Sequence, residues 1–227
     1  MGRIQDATRW FKGTFGEQIS AAAAETLFSL DLFTAIALQE TCYIWGRLYE
    51  KLSVEEVLKL CVGDTLDAPK RSAFPKNQEE LIAVPHGDKM FQVAREALEL
   101  LGAHFPDFHK IAQMYPLKFC HGFGIFQYDI QFFKTNPDFF LKRRWYAFDA
   151  CLAHCIHELQ AALNRAYGSD KTMLTDEEQV FVAIAYNRGS VDFKRGFKQG
   201  YKDESGKYYG EYIWDYLRLS KSTQCEP

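Results

Sequence analysis

The sequence contains no apolar run of about 18 uncharged residues, the length a membrane-spanning helix needs. Its longest candidate, Thr26 to Gln39, is interrupted by Asp31. Met1 to Gly16 lacks the continuous apolar stretch and small-residue cleavage site of a secretory signal. The expectation is therefore a chain without a membrane span. It is either cytoplasmic or exported by a signal-independent route to act on a cell wall. Clustered positive charge is scarce as well: 27 Lys and Arg stand against 30 Asp and Glu, a net charge of −3. Phosphate contacts need grouped cations, so nucleic acid is excluded as a principal partner. The one basic cluster, Lys142-Arg143-Arg144, reads as a solvated face.

No Cys-x-x-Cys pair occurs among Cys42, Cys61, Cys120, Cys151, Cys155 and Cys225. Cys151 and Cys155 lie four residues apart with His154 and His157 nearby, without the spacing of a metal knuckle. They read as small buried hydrophobes, and neither a metal nor a cofactor is expected. Repeats, low-complexity tracts and linkers are also missing. Residues 1–227 are thus expected to form a single, mainly α domain.

What the chain has is apolar surface and rings: 47% hydrophobic and 15% aromatic residues. From Ala21, Leu27, Leu30, Phe33 and Ala37 recur at helical spacing, as do Phe28, Leu32 and Ile36. They predict a core helix with Glu40 near its C-terminal end. Ser53-Val-Glu-Glu56 and Thr175-Asp-Glu-Glu178 have the capping-box form and predict helix starts. Further helices are expected from 89 to 101, from 107 to 114, from 139 to 167 and from 208 to 220. Tyr115 to Tyr128 loses the helical period, and its glycines at 122 and 124 predict a hairpin or extended loop.

An acid that closes an apolar helix invites a chemical reading. Gln39-Glu40-Thr41, Gly122-Phe-Gly-Ile-Phe-Gln127 and Ala185-Tyr-Asn-Arg-Gly189 resemble, in this order, three motifs of the lysozyme-like superfamily of goose-type lysozymes and soluble lytic transglycosylases. Tyr209-Gly-Glu-Tyr-Ile213 is similar to the element that closes such domains. The resemblance implies an α+β lysozyme-like fold, a helical domain with a small hairpin or short sheet lining a cleft. Against that pattern, Val54 to Pro116 is a helical insertion, at about 54–116.

The resemblance also implies a glycosidase that cleaves β-1,4 bonds of an N-acetylhexosamine polymer, peptidoglycan before chitin. Such cleavage needs a proton donor at the leaving oxygen. Glu40 would be that general acid. Asp129, two residues after Gln127, would position the attacking water for an inverting hydrolysis. Asp64 is a rival second carboxylate. Gln127, Gly124, Ile125, Tyr128, Tyr186, Asn187 and Tyr212 would line the substrate, with Tyr186 orienting Glu40. The residues by themselves leave Asp129 open as a cap of the segment after it. Two alternatives stand beside this reading. One is a lytic transglycosylase in which Glu40 works alone and releases 1,6-anhydro products. The other is a non-catalytic glycan-binding or interaction module. An immunity or inhibitor protein is a further expected partner if the chain is an exported toxin.

Overall fold

Helical periodicity governs most of the chain, and the computed structural model describes residues 2–63 and 71–224. Among them the helices of the first half are α1 Gly2–Ala22, α2 Leu30–Leu48, α3 Val54–Leu60, α4 Gln78–Ile82 and α5 Gly87–Gly102. Those of the second half are α6 Pro106–Met114, α7 Pro137–Leu141, α8 Phe148–Tyr167, α9 Asp176–Arg188 and α10 Tyr209–Ser222. Three two-residue strands, β1 Val62–Gly63, β2 Gly122–Phe123 and β3 Tyr128–Asp129, form one antiparallel sheet in the order β1-β2-β3. The fold is mainly α with a small sheet. Among the described residues, no helix is long and apolar enough to cross a membrane.

Internal contacts divide the chain into two units, one made of residues up to Gly46 with those from Leu152 onward, the other of Arg47–Cys151. In the first, α2 is buried on nearly every side: Leu32, Phe33, Ala35, Ile36, Ala37 and Thr41 are sealed from solvent. A helix apolar all round belongs in a core. Asp31 survives in it because Lys12 Nζ reaches its Oδ1 at 3.1 Å and the Ser220 hydroxyl donates to the same oxygen at 2.6 Å. Lys12 also bonds the carbonyls of Ser220 and Thr223, which ties α1, α2 and the end of α10 together. Gln179 of α9 accepts from the backbone N–H and hydroxyl of Ser29 just before α2.

The apolar period from Ala21 resolves into two helices, since α1 ends at Ala22 and Ser29 Oγ accepts from Leu32 N at the start of α2. Glu40 does not close α2. Ile44, Trp45 and Leu48 continue its buried face, so the helix runs on for two further turns. Residues 1–16, expected as an entry segment with some helix around Ala7 to Phe11, belong from Gly2 onward to the continuous helix α1.

In the second unit, Met90, Val93, Ala94, Ala97, Leu98 and Leu101 form the buried stripe of α5. Gly102 lets α6 pack closely, since a Cβ there would lie 2.9 Å from His109 Cα. The expected helix from 139 to 167 is interrupted: α7 stops at Leu141, Arg143 takes a left-handed φ of 50°, and a 3-10 turn over Arg144–Tyr146 precedes α8. Helix α5 starts at Gly87, ahead of Asp88, and packs so closely there that a Cβ at Gly87 would fall 1.8 Å from Leu81 O. Among the described residues of 54–116, the stretch read as an insertion, lie α3 to α6 and β1.

Two glycines give a direct test of packing. Gly124 has φ +84°, and an added Cβ would lie 2.5 Å from Cys151 Sγ. Gly13 is exposed within α1 with nothing within 4 Å of an added Cβ. Urea denaturation should show Gly124→Ala destabilising by roughly 2–4 kcal/mol, from backbone strain plus overpacking. The same measurement should show Gly13→Ala stabilising by roughly 0.5–1 kcal/mol.

Candidate functional site

Glu40 follows the buried residues Ile36, Ala37 and Leu38 of α2 and is itself half-buried. Two phenols from later helices reach its surroundings. Tyr186 comes from the last turns of α9, and Tyr209 opens α10. Burial is the largest cause pushing the Tyr186 hydroxyl well above the ordinary tyrosine range, followed by the charges of Cys155 and Glu40. Burial likewise leads for Tyr209, followed by the Glu40 charge, Tyr186, and the hydrogen-bonding pull of Glu40. Both phenols therefore stay protonated through the neutral range. Tyr209 is 2% exposed, and its Oη reaches no partner in well-formed hydrogen-bond geometry among the described residues. The Glu40 carboxylate is close enough for its charge to act on this hydroxyl. Glu40, Tyr186, Tyr209 and Cys155 form one group inside the first unit.

Local backbone chemistry sets these positions. The Thr175 hydroxyl accepts from Glu178 N and the Glu178 carboxylate from Thr175 N, which starts α9 in register. Gly189 ends the helix in a left-handed cap, its N–H bonded to Ala185 O at 2.9 Å. Asn187 is exposed, and its Oδ1 lies 3.1 Å from where a Cβ of Gly200 would stand. That same Cβ would meet Tyr209 Cβ at 2.6 Å. The loop after α9 is pinned by the buried Gln199, whose amide donates to Asp192 O and Gly196 O while its carbonyl accepts from Arg188. Tyr212 is committed elsewhere. Its hydroxyl donates to Asp203 Oδ2 at 2.5 Å, and Lys207 Nζ sits 4.2 Å from its ring centre.

The remaining expected residues belong to the second unit and its hairpin. Gly124 N donates to Cys61 O, and Gly124 O accepts from both the backbone N–H and the side-chain amide of Gln127. Gln127 takes a left-handed φ of 54°, and its side chain folds over Gly122, where a Cβ would clash with Oε1. Ile125 is sealed in the core, and Phe126 packs on Phe148. Tyr128 is half-buried and stacks on Phe132 and Phe140. Asp129 Oδ1 accepts from Gln131 N at 2.7 Å, capping the 3-10 turn Ile130–Lys134, and from Arg71 Nη2 at 2.5 Å. Asp64 lies outside the described residues.

Tyr209 and Cys155 were not legible as neighbours of Glu40. The available signal was Gly210, whose Cβ would lie 2.5 Å from Phe197 O and 2.6 Å from Ile184 Cδ1, marking a close helix contact beside Tyr209. The five described cysteines are free thiols, and burial pushes the Cys151 thiol up to about 12. Among the described residues no group of three or more His, Cys, Asp or Glu is arranged to hold a metal ion.

The Tyr212–Asp203 contact makes a pH prediction. The phenol bond, then the Ser205 bond, hold the Asp203 carboxyl down at about 2, against an ordinary 3.8. A folded-state value below the unfolded one means the interaction is fully present above the unfolded value and lost as pH falls through about 2. Carboxyl-carbon NMR titration of Tyr212→Phe should show Asp203 moving up towards 3.8. No family model, curated protein or solved structure matches the chain, so the reading of this site rests on its own residues.

Proposed function

We propose that the chain cleaves β-1,4 glycosidic bonds of an N-acetylhexosamine polymer, peptidoglycan before chitin, with Glu40 as general acid. One observation carries this reading: Glu40, on a core helix, lies close enough to the half-buried Tyr186 and the buried Tyr209 for its charge to act on both phenols. Glycosidic cleavage needs a proton at the leaving oxygen as an oxocarbenium-like centre develops. A phenol can donate to the carboxylate form and accept from the acid form, so it orients Glu40 in either state. Tyr186 and Tyr209 are positioning residues in this scheme.

Hydrolysis requires water to be held for attack on the sugar face opposite the donor, and Asp129 is the residue proposed for that task. Proton transfer from Glu40 breaks the C–O bond, water adds at the anomeric carbon, and its proton leaves with the second carboxylate, giving inversion. A second reading has Glu40 act alone, as acid and then as base, while a sugar hydroxyl closes a 1,6-anhydro ring. The geometry of Asp129 favours it, since Oδ1 already accepts from Arg71 and from the backbone of Gln131. Both contacts hold that oxygen in the fold instead of leaving it free for a water.

Turnover of purified peptidoglycan tests the acid directly: Glu40→Gln should lose on the order of 10²–10⁴-fold in rate. An unchanged rate would remove Glu40 from the reaction. Product chemistry separates the two forms. Reducing ends with loss of activity in Asp129→Asn support hydrolysis, whereas 1,6-anhydro ends with near-normal activity in that variant support Glu40 acting alone.

A further inference from the structure

The first unit holds a cavity of about 640 Å³ between the loop 195–198, the turn 205–207 and the outer face of α10. That volume falls in the range of small-ligand sites, roughly 300–1,000 Å³. Its α10 wall is Glu211, Trp214 and Asp215. These are spaced i, i+3 and i+4, so they share one face of the helix. Tyr209, Ile213 and Leu217 make the buried stripe of α10 instead. The cavity is therefore separate from the group around Glu40.

Its lining combines an aromatic surface with surplus positive charge. The Trp214 indole lines the cavity and packs on Phe197 at 5.3 Å, which fixes the ring's orientation. The two carboxylates are already engaged. Glu211 accepts from Tyr208 N at 3.0 Å, and Asp215 pairs with Lys207 at 2.5 Å. Arg195 and Lys198 are left, and among the described residues neither is paired with a carboxylate. Arg195 Nη2 donates to Lys198 O at 3.2 Å, which restrains the guanidinium beside the second cation. A flat apolar ring beside Arg195 and Lys198, in a lining whose cations outnumber its carboxylates by one, is complementary to a sugar whose ring carries C–H faces and whose substituents carry carboxylates.

We infer that this cavity is a second, non-catalytic glycan site that takes carboxylate-bearing sugar units, which selects peptidoglycan over chitin. The inference rests on the reading of the chain as a glycan-cleaving enzyme and adds the identity of its polymer. Chitin offers the same C–H faces without the carboxylates, so the cations provide the discrimination between the two polymers. Because Arg195 and Lys198 are exposed, their contribution is salt-sensitive.

Isothermal titration calorimetry on the full-length Glu40→Gln chain, which leaves the glycan intact, tests the assignment. The probes are a peptidoglycan tetrasaccharide with free peptide carboxylates, the same fragment with its carboxylates amidated, and a chitin tetramer. The free-carboxylate fragment should bind about tenfold or more tighter than either of the others, and this advantage should shrink at high salt. The double variant Arg195→Gln/Lys198→Gln changes only exposed positions and should bring all three probes to the same affinity. Trp214→Ala should weaken all three together, with Trp214→Phe restoring part of the binding if the alanine variant is poorly folded. Equal binding of the three probes, or a preference that survives the double variant, would overturn the inference. Failure of the catalytic reading shows separately, as absence of cleavage by the native chain whatever the binding result.

Discussion

A carboxyl group on the most buried helix of a protein must be met by donors, because an unpaired charge in such a setting costs several kcal/mol. Helix α2 carries two acids under this constraint and resolves them differently. Asp31 is met by the cation of Lys12 and the hydroxyl of Ser220, which bind α1, α2 and α10 into one body. Glu40 acts on the phenols of Tyr186 and Tyr209. A cation stabilises only the ionised carboxylate, whereas phenols accommodate both protonation states. That contrast is the physical ground for proposing Glu40, and not Asp31, as the acid that exchanges a proton.

The hairpin shows a related division between scaffolding and chemistry. Gly124 is fixed by a positive φ and by its close approach to Cys151, and Gln127 closes the turn with its own side chain. Ile125 and Phe126 are core residues. Of the aromatic residues near the turn, Tyr128 keeps part of its surface exposed while stacked on Phe132 and Phe140. Asp129 links this hairpin to Arg71 and caps the turn after it, so its carboxylate has a fold-stabilising task whatever else it does.

The helix starts at Ser53 and Thr175 were legible because a capping box is a local pattern: a hydroxyl and a Glu three residues on satisfy each other's backbone donors. The mainly α class followed from apolar spacing in the same way. Features set by one unusual backbone angle were not legible. Arg143 takes φ 50° and breaks the expected helix from 139 to 167, although nothing in Lys142-Arg143-Arg144 announces a turn. The length of α2 is obscured by Glu40, an acid that interrupts the apolar period, while Ile44, Trp45 and Leu48 carry the buried stripe past it. Near Glu40, Tyr186 is legible as a member of the Ala185-Tyr-Asn-Arg-Gly189 stretch. The stretch Tyr209-Gly-Glu-Tyr-Ile213 is legible as a closing element, but the approach of Tyr209 to Glu40 is a long-range contact that only the small residue Gly210 hints at. The two faces of α10 likewise became distinct only in three dimensions, Tyr209 on the buried one and Trp214 on the one that lines the cavity.

The central claim is that Glu40 delivers the proton that breaks a sugar–sugar bond. Its most direct test is mass spectrometry of the fragments released from purified peptidoglycan by the native chain and by Glu40→Gln, side by side. The native chain should release fragments cut only at β-1,4 linkages, and the variant none. Fragments cut at peptide bonds, or the same glycan fragments from both proteins, would contradict that claim.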